Sequence, residues 1–247
     1  PSAAAQDMGR PRLSESAGEY TLSNGLVTAR VDGEGKLDLT DDRTGVTLSR
    51  VLSFLDTGDA GDTYNEDRLD SGAVEGVSNL ATAAEQRSPA RVILLLQRTL
   101  ELPESLGESR RERSGAPSSS EIALRFELRQ GEAFLRIGIT LLNRSRDHRL
   151  QLRFSPSRPE GRVLSFVQFG WEEPAAERPE TANGGPTPTE VDRLMRGARE
   201  PELSSIFPTA GAVAAGDESG ALLLAQEGLF EGELLGGSDF GLTLLRS

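Results

Sequence analysis

Three aspartates, Asp56, Asp59 and Asp62, recur at intervals of three in the stretch Asp56-Thr-Gly-Asp-Ala-Gly-Asp-Thr-Tyr-Asn-Glu-Asp-Arg68, and Asp62 stands two residues before Tyr64, one of two tyrosines in the chain. Carboxylates at this density could hold a cation, cap tight turns or shape a surface that touches a substrate. A calcium loop alternates its ligands at every second position and closes with a distal glutamate. The spacing here is three, with Gly58 and Gly61 between, and reads as consecutive turns. No metal site is assigned to it.

The remaining chemistry is sparse. The single histidine, His148, and the absence of cysteine leave no zinc site of the ordinary nitrogen and sulfur type. His148 lies in Asn143-Arg-Ser-Arg-Asp-His-Arg-Leu150, at the mouth of a strand. There its ring is expected to bond a neighbouring carbonyl or carboxylate rather than act as a base. No Gly-x-Ser-x-Gly elbow is present, and no glycine loop of the phosphate-cradling kind precedes a helix. Paired carboxylates suit glycoside hydrolysis, but 39 acidic residues offer so many pairs that their presence discriminates nothing. Trp171 closes an apolar run. A tryptophan can stack on a sugar, yet packing into the core is the preferred reading.

Charge narrows the partners. The 247 residues carry a formal net charge of −12, which argues against nucleic acid, because phosphate binding needs a basic face. Arg110-Arg111-Glu112-Arg113 is short, broken by acid, and reads as a solvated loop. No apolar run approaches the ~18 residues of a membrane span, and Pro1 to Arg12 lacks the apolar centre of a signal peptide. A cytoplasmic protein is the default expectation. The chain opens on Pro1 and stops within what reads as a strand, Gly241 to Ser247, so a fragment of a longer polypeptide is expected.

The elements that must position these residues are strands. Ile122, Leu124, Phe126 and Leu128 alternate with Glu121, Arg125, Glu127 and Arg129, giving one buried and one wet face. After Gln130-Gly131-Glu132 the alternation resumes at Leu135, Ile137, Ile139 and Leu141, which makes a hairpin. Leu26 to Val31 and Lys36 to Leu39 flank Asp32-Gly-Glu-Gly35 as a second hairpin. Further strands are expected at Val46–Leu55, Arg91–Leu102, Arg149–Phe154, Arg162–Trp171, Ala221–Gln226 and Phe240–Leu245. One helix, Thr189–Ala198, is expected from its cap and its Val191, Leu194 and Met195 face. Long loops are expected near 103–120 and 172–188, the second for its prolines and Asn183-Gly184-Gly185. The fold class is all-β, with few or no helices and two stacked antiparallel sheets. Residues 1–19 read as a linker or poorly ordered segment before a domain at 20–247.

In order, these pieces resemble one family. Asn24-Gly25-Leu26-Val27, Asp32 to Leu37, Asp42-Arg43-Thr44-Gly45, Gly58 to Asn65, Asn143 with Asp147 to Leu150, Phe207-Pro208-Thr209 and Leu242 to Ser247 are similar to the C-terminal half of family 38 glycoside hydrolases, the α-mannosidases. The resemblance runs from about Tyr20 to Ser247. It implies a large antiparallel β-sandwich, a supersandwich of the galactose-mutarotase-like type. It also implies that zinc, held by histidine and aspartate, and the aspartate nucleophile of a retaining reaction lie on an upstream catalytic domain. No catalytic residue, metal ligand or bound cofactor is expected in this chain.

The resemblance further implies that the loop tyrosine, Tyr64 here, reaches the sugar, with Asp62 and Asn65 beside it as substrate-binding residues. Gly58 and Gly61 would permit the turns, and Asp59 and Asp62 would bond backbone amides to hold the loop. The alternative is a tyrosine packed under its own loop. Glu66-Asp67-Arg68 departs from the family, where an aromatic residue or proline often follows. The expected function is to complete the active-site wall and stabilise the catalytic domain of a zinc-dependent α-mannosidase acting on α-mannosides or oligosaccharides. The second reading is a non-catalytic carbohydrate-binding or assembly module. A free-standing epimerase is a third, disfavoured because that chemistry often uses several histidines.

Overall fold

The computed structural model describes residues 9–32, 35–62, 67–75, 78–174 and 205–247. Among them every regular element is a strand, and all pairings are antiparallel. No helix among them is long and apolar enough to cross a membrane. The helix expected at Thr189–Ala198 and most of the proline-rich stretch before it lie outside the described residues.

Two of the four sheets are local. β1 (Arg12–Ser16), β2 (Glu19–Ser23), β3 (Val27–Val31), β4 (Leu37–Asp41) and β5 (Thr47–Leu48) pair in chain order. The hairpin between β3 and β4 turns at Asp32, whose carbonyl accepts Gly35 N at 2.8 Å and whose Oδ1 accepts Lys36 N at 2.9 Å. Gly35 has φ of 79°, a left-handed value glycine adopts at little cost. β8 (Ser78–Ser88), β9 (Arg91–Pro103), β10 (Pro117–Arg129) and β11 (Arg136–Leu142) form the second meander. Buried Asn24 ties the two together. Its Nδ2 donates to Arg129 O and Glu132 O at 2.8 and 2.7 Å, while its Oδ1 accepts Leu26 N and Val27 N.

The third sheet gathers strands from across the chain and carries the candidate site. Its order is β15 (Ile206–Pro208), β18 (Glu231–Gly236), β19 (Asp239–Arg246), β12 (His148–Phe154), β6 (Leu52–Asp59) and β7 (Arg68–Glu75). The fourth has the order β14 (Gly170–Glu172), β13 (Arg162–Val167), β16 (Ala212–Asp217) and β17 (Gly220–Ala225). One apolar core joins all four sheets, with Leu22, Leu94, Leu124, Phe126, Leu150, Phe240 and Val213 among its fully buried members. Phe154 and Phe240 stack across β12 and β19 with ring centres 5.2 Å apart. The molecule is thus the all-β, antiparallel sandwich expected.

Several expectations need correction. The segment before Tyr20 contributes strand β1, and its Leu13 is buried, so no linker reaches to residue 19. The expected strand Val46–Leu55 is two strands, broken at Arg50, a non-glycine residue with φ of 51°. The loop expected at 103–120 is only 104–116, and Leu106 and Arg113 bridge across it. Glu127, placed on the wet face, is fully buried. The Arg91, Arg125 and Arg129 guanidiniums close over it and neutralise its charge.

Candidate functional site

The acidic stretch is not a run of turns at its start. Asp56, Thr57, Gly58 and Asp59 are the last residues of β6, between β12 and β7. Strand alternation sends Asp56 to one face and Asp59 to the other. Each buried carboxylate finds cations there, which is what lets aspartate sit in a central strand.

Asp56 faces the core. Its Oδ2 contacts His148 Nδ1, and its Oδ1 lies 2.5 Å from Arg113 Nη1. All three side chains are at most 3 % exposed. Asn143 completes the set. Its amide is oriented by Ser145, whose N–H it accepts at 3.1 Å and whose carbonyl it donates to at 2.8 Å, so Oδ1 accepts from His148 Nε2 at 3.0 Å. Both ring nitrogens of the one histidine are therefore engaged inside the protein. The expectation that the ring bonds a carboxylate holds, with a partner 92 positions away rather than a neighbour.

Asp59 faces the other way and closes the root of the β6–β7 hairpin. Its Oδ1 accepts Gly61 N at 2.9 Å and Asp67 N at 3.0 Å, and Ala60 N donates to Asp67 O at 2.8 Å. Its Oδ2 accepts Arg246 Nε at 2.9 Å. Arg246 Nη2 also donates to Asp62 O at 3.3 Å. From the other side, Arg110 bridges Ala60 O and Asp147 Oδ1, each at 3.1 Å, and Asp147 O accepts Asp59 N at 2.9 Å. The expected amide-bonding role of Asp59 is what the structure shows. Of the expected substrate-binding residues, Asp62 is exposed at the hairpin root. Tyr64 and Asn65 lie outside the described residues.

Arg246 reaches Asp59 because of a β-bulge. Thr243 pairs with Gln151 and Leu245 with Leu150, so the register between β12 and β19 shifts by one at Leu244. The shift puts Arg246 opposite Arg149, on the same face as Thr243. That face carries a polar network. Glu233 accepts from Arg68 Nη1 at 2.5 Å, Gln151 Nε2 at 2.6 Å and Arg149 Nη1 at 3.2 Å. Arg149 Nη2 lies 2.9 Å from Glu231 Oε1, and Glu231 Oε2 lies 3.7 Å from Arg246. Charges alternate from Arg68 through Glu233, Arg149, Glu231 and Arg246 to Asp59, whose strand partner is Arg68. Burial alone would raise the Glu233 carboxyl. The Gln151 hydrogen bond and the Arg149 and Arg68 guanidiniums outweigh it, and the net direction is down from 4.5.

The Arg110–Arg113 stretch, expected to be solvated, sends the Arg113 side chain into the core against Asp56, and nothing in the sequence assigns a role to Arg246, Arg110 or Asp147. Their shared signal, a basic or acidic residue at the end of an apolar strand or in a loop, is too common to single them out. Trp171 corrects the core reading: it is 48 % exposed and meets Phe166 edge-on with ring centres 5.4 Å apart. Among the described residues no group of three or more histidine, aspartate or glutamate side chains could hold a metal ion.

No family model matches the sequence, and no curated protein matches it by sequence similarity. Its structure does have counterparts. An α-mannosidase from Enterococcus faecalis V583 superposes with a TM-score of 0.75 over 95 % of this chain and 26 % of its own, at 19 % identity. A protein in glycosyl hydrolase family 38 from Enterococcus faecalis gives the same score and identity, with 27 % of its own chain covered. This chain spans about a quarter of the length of those structures. It therefore shares its antiparallel β-sandwich fold with part of a family 38 α-mannosidase.

Proposed function

We propose that this chain is the non-catalytic β domain of a retaining, zinc-dependent α-mannosidase, and that its β6–β7 hairpin presents Tyr64 to the sugar. The observation that carries the reading is the fastening of the hairpin root. Asp59 accepts the amides of Gly61 and Asp67, on either side of residues 63–66, and is itself fixed by Arg246, so the root of the hairpin is fastened to the sheet. A hydroxyl that is to stabilise charge on a sugar must be held in place beforehand, since ordering it during the reaction costs free energy. Asp62 and Asn65 flank Tyr64 as further contacts. The fold shared with an α-mannosidase supports the substrate class.

Zinc in such an enzyme does not fit the described residues. His148 has no free ring nitrogen, and no carboxylate cluster replaces it. The metal and the nucleophile belong to the catalytic domain of the longer polypeptide, and this chain completes the wall of the sugar site. The test is hydrolysis of an aryl α-mannoside by the whole encoded polypeptide with zinc present and after chelation. Zinc-dependent cleavage by the whole polypeptide, with none by this chain alone, is expected. Cleavage by this chain alone, or none by the whole polypeptide, overturns the reading.

A further inference from the structure

The β14–β13–β16–β17 sheet is apolar on both faces. Val163, Val213 and Ala215 point into the core and are at most 3 % exposed. The opposite face carries Leu164, Phe166, Trp171, Ala214 and Leu223 in register: Phe166 pairs with Trp171, Leu164 with Ala214, and Ala214 with Leu223. Leu223 is 67 % exposed, and Phe169, in the β13–β14 turn, is 96 % exposed. The contrast with β10 is direct. There the outward positions Glu121, Arg125 and Arg129 are charged and reach solvent, as a sheet with one solvated face requires. Strands that are apolar on both sides are strands covered on both sides, and an apolar patch rimmed by charge marks an interaction surface. The rim here is Arg162 and Glu173, 3.6 Å apart.

We propose that this outer face is a permanent packing surface for another layer of the same, longer polypeptide. The proposal rests on the functional reading above. Two observations favour this occupant. About three quarters of each matched α-mannosidase chain lies outside the region this fold covers, so a neighbouring layer of one chain is available. A second copy is opposed by the formal net charge of −12, which self-repulsion turns against association. A transient partner would also call for a more polar face.

The chain has no cysteine, which allows a thiol to be used as a probe. Leu223→Cys, and the milder Ala221→Cys on the same face, are placed in the whole encoded polypeptide. Glu121→Cys on the charged β10 face is the control. Maleimide labelling is followed in the native state and in urea, with the parent's labelling subtracted. The proposal expects both face thiols to label at least ~10-fold more slowly in the native state than in urea, with the control little slowed. Face thiols as reactive as the control overturn it. Protection that disappears on dilution assigns the face to a second copy and also overturns it. Cleavage of the aryl α-mannoside in the same preparation separates the two claims. Cleavage with reactive face thiols sinks the surface alone, and protection without cleavage sinks the functional reading alone.

Discussion

The side chains of Asp59 and Arg246 meet at 2.9 Å although 187 positions separate them. One strand ends at the first and another at the second, and the β-bulge at Leu244 turns the guanidinium onto the face where the carboxylate lies. The same carboxylate holds the amides of Gly61 and Asp67. Fold and hairpin are therefore joined at one buried group.

Asp59→Ala is expected to cost about 2–4 kcal/mol, because two amides and a guanidinium lose their acceptor at once. Asp59→Asn keeps an oxygen for the amides and is expected to cost less, about 1–2 kcal/mol. Urea denaturation midpoints measure both. Equal losses would show that the amide bonds contribute nothing.

The core-facing set gives a sharper contrast. Asp56→Ala leaves the Arg113 and His148 side chains buried without their carboxylate, and a loss of about 3–5 kcal/mol is expected. Replacing the Asp56, Arg113 and His148 side chains with apolar ones of similar size (Asp56→Leu, Arg113→Met and His148→Phe together) is expected to cost less than that single change. Guanidinium chloride unfolding of the two variants decides the order. A triple variant weaker than Asp56→Ala would contradict it.

Glu233 should contribute to acid sensitivity. Its native carboxyl is lowered from 4.5, so its contribution is fully present above that value and is lost as pH falls through the lowered native value. The stability difference between the natural protein and Glu233→Gln should hold near neutrality and shrink as pH falls below 4.5. Unfolding curves across that range measure it. A difference unchanged by pH would show that the carboxyl does not titrate with folding.

Gly232 makes room for an aromatic ring. A methyl group there would sit 2.5 Å from Phe207 Cε2, and these residues are strand partners. Gly232→Ala is expected to cost about 1–3 kcal/mol, with part recovered by Phe207→Leu in the same chain. Thermal unfolding of the single and double variants tests the coupling. An additive double variant would mean that the ring is not the obstacle.

Legibility in the sequence follows burial. β10 and the start of β11 alternate cleanly because each has one face on the core, and the period-two signal finds them. β1, β2, β7, β8, β15, β16 and β18 escape it. β1, β7, β8 and β15 are edges of their sheets, and Arg-Leu-Ser-Glu-Ser in β1 holds one apolar residue in five; β2, β16 and β18 are inner strands too short, at five or six residues, to show a clear period. Edge strands are kept polar to discourage further pairing. Asp56 to Asp59 reads as loop because aspartate and glycine disfavour strands, and only partners 92 and 187 positions away reverse that preference. The polar-group reading of Asp59 succeeds because it is local. Arg246 fails because its face depends on a one-residue register shift that no alternation in Gly241 to Ser247 reveals.

The direct test of the central claim is kcat/KM for an aryl α-mannoside with the whole encoded polypeptide and zinc, comparing the natural protein with Tyr64→Phe. If the hairpin places the Tyr64 hydroxyl on the sugar, its removal should lower kcat/KM by about 10- to 100-fold, with the unfolding midpoint unchanged. Equal kcat/KM in the two proteins would contradict the account and leave the hairpin a structural feature.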